Sequence, residues 1–157
     1  NQLRILNGGT VRVGGIASIN ALGANNLLRV DGGTFCATNS SGTGQLYTGN
    51  TELNAGTMNV DRLIVASSLD SSFTFNGGDL RAGRCDVNNN MDFYVGNGVS
   101  PARLILANAQ HNFPASLFLR NLAELISSGT LIANVEALRR LCRITRTSHG
   151  DPQGLTE

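Results

Sequence analysis

The sequence predicts an all-β chain wound as a right-handed, single-stranded parallel β-helix of about six coils. Two observations predict it. A short phrase recurs as Leu6-Asn7-Gly8-Gly9-Thr10-Val11, Val30-Asp31-Gly32-Gly33-Thr34-Phe35, Leu53-Asn54-Ala55-Gly56-Thr57-Met58 and Phe75-Asn76-Gly77-Gly78-Asp79-Leu80. Its last glycine falls at 9, 33, 56 and 78, in steps of 24, 23 and 22 residues. The second observation is the alternation of apolar and polar residues that flanks each copy, the period of a half-buried strand.

Taking the second glycine as origin, the residues at +2 and +4 are Val11 and Val13, Phe35 and Ala37, Met58 and Val60, and Leu80 and Ala82. Between them stand Arg12, Cys36, Asn59 and Arg81, which the alternation turns outward. At −3 the pattern predicts inward Leu6, Val30, Leu53 and Phe75. A tight corner needs a residue at positive φ, so the origin glycines are expected to supply it. The Asx before each pair bonds its own turn and, stacked coil on coil, forms a ladder. Asn25-Asn26, Ser40-Ser41-Gly42 and Asn88-Asn89-Asn90 read as the other bends of each coil.

The later repeats are looser. Ala109 reads as the next origin, with His111 and Phe113 pointing inward, and Gly129 as the one after, with Leu131 and Ala133. The resulting steps of 31 (78 to 109) and 20 (109 to 129) imply an insertion that protrudes near residues 96–101. Residues 1–135 form the repeat domain. Residues 136–157 read as a C-terminal cap or disordered tail. In it Val135, Leu138, Leu141 and Cys142 share one face of a short helix, and Arg139, Arg140, Arg143 and Arg146 are solvated.

Composition narrows the function. The chain has 157 residues, a formal net charge of +1, no Trp and no Lys. That charge gives no field for nucleic acid or a membrane surface. No apolar run reaches the ~20 residues of a spanning helix. The chain opens inside a repeat, without Met, and reads as a fragment or processed piece. Cys36, Cys85 and Cys142 are widely spaced and read as free thiols. Asp86 to Asp92 has the oxygen spacing that opens a calcium loop. It places Met91 where glycine is needed and Asn97 where the closing Glu belongs, so a polar turn is expected. His111 reads as a hydrogen-bonded core residue rather than a base. The outward acids Asp61, Asp70, Asp86 and Asp92 share no repeat offset, which argues against a catalytic carboxylate pair. No catalytic residue, cofactor or metal is assigned.

The phrase "NGGT" before a hydrophobic strand resembles the autotransporter-associated β-strand repeat of bacterial surface proteins, including those with a PEP-CTERM sorting signal. The closest stretch runs from Phe93 to Val135. Its skeleton is Val95-Gly96-Asn97-Gly98, Pro101-Ala102, Leu104, Leu106, His111, Phe113, Leu117, Leu119, Ala123, Leu125, Gly129-Thr130-Leu131 and Val135. The resemblance covers roughly residues 5–135. It implies a secreted or cell-surface location in the bacterial outer envelope and further coils of the same parent chain. The expected function is a non-catalytic stalk or passenger scaffold, with adhesion as a further role. The alternatives are a polysaccharide-cleaving β-helix or a module that binds a surface glycan or another cell-surface protein. Such a module would use the 96–101 loop, the Arg12/Arg81 exterior, or an aromatic strip for which Tyr47 and Tyr94 are the candidates.

Overall fold

A computed structural model describes residues 1–19, 26–66, 72–137 and 143–146. The chain is all-β, a parallel β-solenoid of about five turns. The first coil comprises β1 (Gln2–Leu6), β2 (Thr10–Val13) and β3 (Ile16–Ser18). The second comprises β4 (Leu27–Ala37), which bends across two faces, and β5 (Gln45–Thr48). β6 (Asn50–Val65) covers all three faces of the third coil by itself. The fourth has β7 (Ser72–Phe75) and β8 (Gly78–Val87), and the fifth β9 (Phe93–Val95), β10 (Ala102–Leu106) and the start of β11 (Gln110–Leu119). β12 (Ala123–Ser127), β13 (Thr130–Ala137) and β14 (Arg143–Arg146) follow.

Register sorts these strands into three faces. Face A stacks β1, the first parts of β4 and β6, then β7, β9, the end of β11 and the end of β13. Face B stacks β2, the later part of β4, the middle of β6, the start of β8, then β10, β12 and β14. Face C stacks β3, β5, the end of β6, the end of β8, and the starts of β11 and β13. Five turns bring face A from β1 to the end of β11, and the last strands add an open-ended coil. All pairings are parallel because each coil repeats the direction of the one before it.

Leu28, Val30, Leu53, Phe75, Val95, Leu117 and Leu119 fill the interior from face A. Phe35, Met58, Leu80, Leu104 and Leu125 fill it from face B, and Leu46, Leu63, Cys85 and Phe113 from face C. At about 25 cal/mol per Å² of apolar surface, this axial core is the main stabilising term. Phe73 stacks on Phe93 at 5.6 Å, and Phe93 meets Phe113 edge-on at 5.4 Å, so an aromatic file runs along the axis.

Four expectations need correction. Leu6 is exposed, and Ile5 is the buried residue of that coil. Ile5 pairs with Val30, and Leu6 opposes both Asp31 and Gly32 in a bulge, so the first corner, from Ile5 to Thr10, is one residue longer than the next three. Positive φ occurs at Gly56 and Gly78 as expected, but in the first two copies it falls on Gly8 and Gly32 rather than Gly9 and Gly33. Ala55 occupies the earlier position in the third copy, and a residue with a Cβ does not readily enter that region. Gly33 still has to be glycine, because a Cβ there would overlap Ile5 and the carbonyl oxygens of Leu6 and Gly9.

The third correction concerns the later repeats. His111 and Phe113 are buried, and Leu131 and Ala133 pack against the core, as expected. Yet Ala109 and Gly129 lie at the B–C corner, whereas the Gly-Gly-Thr glycines lie at the A–B corner. On face B, Gly78 pairs with Ala102 and Ala102 with Ala123, steps of 24 (102 − 78) and 21 (123 − 102) residues. The coil period therefore continues, but the A–B corner holding residues 96–101 runs eight residues from Val95 to Arg103 (103 − 95) where the coil before takes four from Phe75 to Asp79 (79 − 75), the expected protruding insertion, with Val99 exposed at its tip. Asn97 Oδ1 accepts the N–H groups of Val99 and Ser100, each at 2.8 Å, which folds the corner on itself.

The fourth correction lies at the C-terminal end, where no helix is found among the described residues. Val135 is in β13, and β14 pairs with β12 from Glu124–Arg143 to Ser127–Arg146, so solenoid pairing continues past residue 135. Leu138, Arg139, Arg140, Leu141 and Cys142 lie outside the described residues, as does the tail from 147 on.

The other bends match their sequence signals. Asn39 Oδ1 accepts the N–H groups of Ser41 and Thr43, and Gly42 takes a φ of 66°. Asn90 takes a φ of 56° in the Asn88–Asn90 bend. Asn25 lies outside the described residues, and Asn26 accepts a bond from Asn1 Nδ2 at 3.2 Å.

Candidate functional site

Stacking turns a residue's place in its coil into a column along the outside. At the A–B corner the Asx residues form such a column. Asn76 Nδ2 donates to Asn54 Oδ1, and Asn54 Nδ2 donates to Asp31 Oδ1, both at 2.8 Å. Asp31 is also held by Arg4 Nε at 2.6 Å from the coil before and by Arg29 Nε at 3.0 Å from its own strand. Burial pushes the Asp31 carboxyl up, but the hydrogen bonds from Asn54, Arg29 and Arg4 outweigh that and hold it at about 2.

Two more carboxylates repeat the arrangement. Asp79 takes Arg103 of the next coil at 2.5 Å and Arg81 of its own strand at 3.3 Å. Asp86 takes Arg62 of the preceding coil at 2.7 Å and Arg84 at 3.0 Å. The same-strand partner is always two residues away, and period-2 strand geometry puts both side chains on one face. Arg29-x-Asp31, Asp79-x-Arg81 and Arg84-x-Asp86 were therefore legible as pairs in the sequence. The cross-coil arginines needed the register.

The acids considered for catalysis are dispersed. Asp61 Oδ2 accepts the N–H groups of Asn39 and Gly44, at 2.9 and 2.8 Å, and ties down the B–C corner of the coil before. Asp86 lies on face C under its two guanidiniums. Asp92 Oδ1 accepts Ser116 N–H at 3.2 Å near the C–A corner. Asp70 lies outside the described residues. Among the described residues no three His, Cys, Asp or Glu side chains gather as a metal would require. Among the described residues there is no helix long and apolar enough to cross a membrane.

His111 is fully buried on face C. Its Nδ1 accepts Cys85 N–H at 3.2 Å and its Nε2 lies 2.8 Å from Ala107 O, a pairing that only the neutral Nε2–H tautomer satisfies at both ends. Burial lowers its pKa, opposed by the Ala107 bond and by Asp86. Cys36 and Cys85 are buried free thiols, and burial together with Asp86 pushes the Cys85 pKa up.

No family model, curated protein or solved structure matches the chain.

Two outward grooves include residues considered for binding. One, of about 280 Å³, follows face B past Asn59, Arg81, Ile105 and Ile126. Arg12 and Arg81 share a column there but are separated by Cys36 and Asn59. The other, of about 140 Å³, lies on face A and is lined by Thr74, Asn76, Tyr94 and Arg120 among others. Tyr94 stacks on Phe118 with centroids 5.0 Å apart and planes 11° from parallel, and the Arg120 guanidinium lies 4.3 Å from the Tyr94 centroid. Tyr47 stands on face C, in register with Ser18 and Ile64. The two tyrosines considered for a strip are thus on different faces, and the partner of Tyr94 is Phe118. Alternation between buried Leu117 and Leu119 already turns Phe118 outward, but only the Tyr94–Phe118 register brings the rings together.

Proposed function

We propose that this chain is a non-catalytic structural segment, a stalk or passenger scaffold of an exported bacterial surface protein. One observation carries the reading: the exterior carboxylates Asp31, Asp79 and Asp86 each join their own strand to a neighbouring coil through two arginines. Single exposed ion pairs contribute only ~0–1 kcal/mol. Networks that repeat along the axis resist shear between coils, which is what a spacer requires. Asp61, Asp86 and Asp92 are likewise engaged in holding corners and strands, on separate parts of the surface.

The open end supports a longer solenoid. Among the described residues, β1, β2 and β3 pair on one side only, and Leu3, Leu6 and Ile16 are exposed there. A further coil of the same parent chain would pair those edges and cover those side chains. Export and a bacterial surface location rest on the likeness of the repeats to the autotransporter-associated strand repeat. Antibody staining of intact and permeabilised native cells tests the reading. Staining of intact cells is expected; staining only after permeabilisation overturns it.

A further inference from the structure

We propose that the face A groove bounded by Thr74, Asn76, Tyr94 and Arg120 holds one pyranose ring of a neutral glycan. This goes beyond the scaffold reading, which survives its failure.

Three observations converge on it. The first is the aromatic platform. Tyr94 is 37% exposed, although it stacks on Phe118 and the Arg120 guanidinium lies over its ring. An outward aromatic pair on a sheet otherwise faced with Thr, Asn, Arg and carboxylate is the apolar surface to which the C–H face of a sugar adds. The second is the set of polar groups around it. Asn76 spends Nδ2 on Asn54, which fixes the amide plane, while its Oδ1 accepts nothing among the described residues. Thr74 is exposed one coil before Tyr94 and offers a hydroxyl. Arg120 adds planar N–H donors. Sugar hydroxyls both donate and accept, so they match this mixture.

The third observation is size and repeat. A volume of about 140 Å³ is below the ~300–1,000 Å³ of pockets that enclose drug-sized ligands, so it suits one ring and not a whole oligomer. Coils repeat every ~4.8 Å, close to the length of one sugar residue, so a chain could pass along the axis from this groove over Phe118. Charge selects a neutral sugar. Asp92 Oδ2 lies 3.5 Å from the Tyr94 hydroxyl. This carboxylate offsets Arg120 and disfavours an acidic ring.

The composition supplies a reporter. The chain has no Trp and only Tyr47 and Tyr94. In a Tyr47→Phe background all tyrosine emission comes from Tyr94. Titration of that protein with hexasaccharides of β-linked glucose, xylose and N-acetylglucosamine should give a saturable change in emission for at least one of them. Binding should weaken about tenfold in Arg120→Ala, equivalent to ~1.4 kcal/mol. It should weaken as much in Thr74→Arg, which fills the groove from an exposed position without removing packing, so its melting temperature should match the parent. No saturable change with any neutral oligomer overturns the proposal. So does binding that Thr74→Arg leaves unchanged, or a response to oligogalacturonate alone.

Discussion

Asn76 donates through Nδ2 to Asn54 Oδ1 at 2.8 Å, linking two coils across 22 residues of chain. Asn54 passes the bond on to Asp31, so one line of side-chain hydrogen bonds runs through three successive corners. Asn54 donates to the coil before and accepts from the coil after, a pattern available only where similar turns stack.

Replacing the middle member should therefore cost more than one bond. Asn54→Ala leaves Asn76 Nδ2 without its acceptor and removes one of the three donors that hold Asp31 in a half-buried corner. The expected loss is roughly 1–3 kcal/mol, read as a lower midpoint in urea at unchanged slope. An exposed asparagine outside the ladder, such as Asn108, should move the midpoint little when replaced by Ala.

The corner glycines should divide sharply. Gly56 has a φ of 87°, and a Cβ there would overlap the Gly33 carbonyl oxygen. Gly56→Ala should cost about 3 kcal/mol or more, since strain of ~1–3 kcal/mol is joined by the overlap. Gly14 has open space around its Cα and an ordinary φ, so Gly14→Ala should stay within about 0.5 kcal/mol of the parent. Leu122 is the reverse case, a leucine at a φ of 65°, and Leu122→Gly should stabilise by about 1 kcal/mol. Thermal melts of the three variants check the order.

Acid should destabilise the fold in two separate windows. The neutral form of His111 is the one the core accommodates, so its folded pKa lies below the ordinary 6.5. The unfolded chain takes up the proton first, and the His111 contribution is complete above 6.5 and is lost as the pH falls below it. Asp31 is held at about 2 against an ordinary 3.8, so its contribution is complete above 3.8 and drains as the pH falls toward 2. Melting temperature against pH should show both declines. His111→Leu should remove the upper one and Asp31→Asn the lower; a variant that retains its decline refutes the assignment.

The sequence by itself determined the solenoid. The Asx-Gly-Gly-Thr recurrence marks one corner per coil, and the period-2 alternation at Phe35/Ala37, Met58/Val60 and Leu80/Ala82 states which side chains face in. Both signals are local, so they survive without knowledge of the partners. Leu6, Gly9 and Gly33 were misplaced because a one-residue bulge changes which residue turns inward or takes positive φ, and that depends on the neighbouring coil. The jump from Gly78 to Ala109 joined two different corners for the same reason. Val135 carried a helical spacing but lies in a strand, because an open sheet edge offers backbone partners to the next segment.

Only the tertiary structure decided what the surface does. Arg4 meets Asp31, Arg62 meets Asp86, Arg103 meets Asp79 and Phe118 meets Tyr94 across one whole turn of chain. Such neighbours are set by register between coils. A shift of one residue turns every side chain of a strand to the opposite face, so no pattern within a single coil could name them.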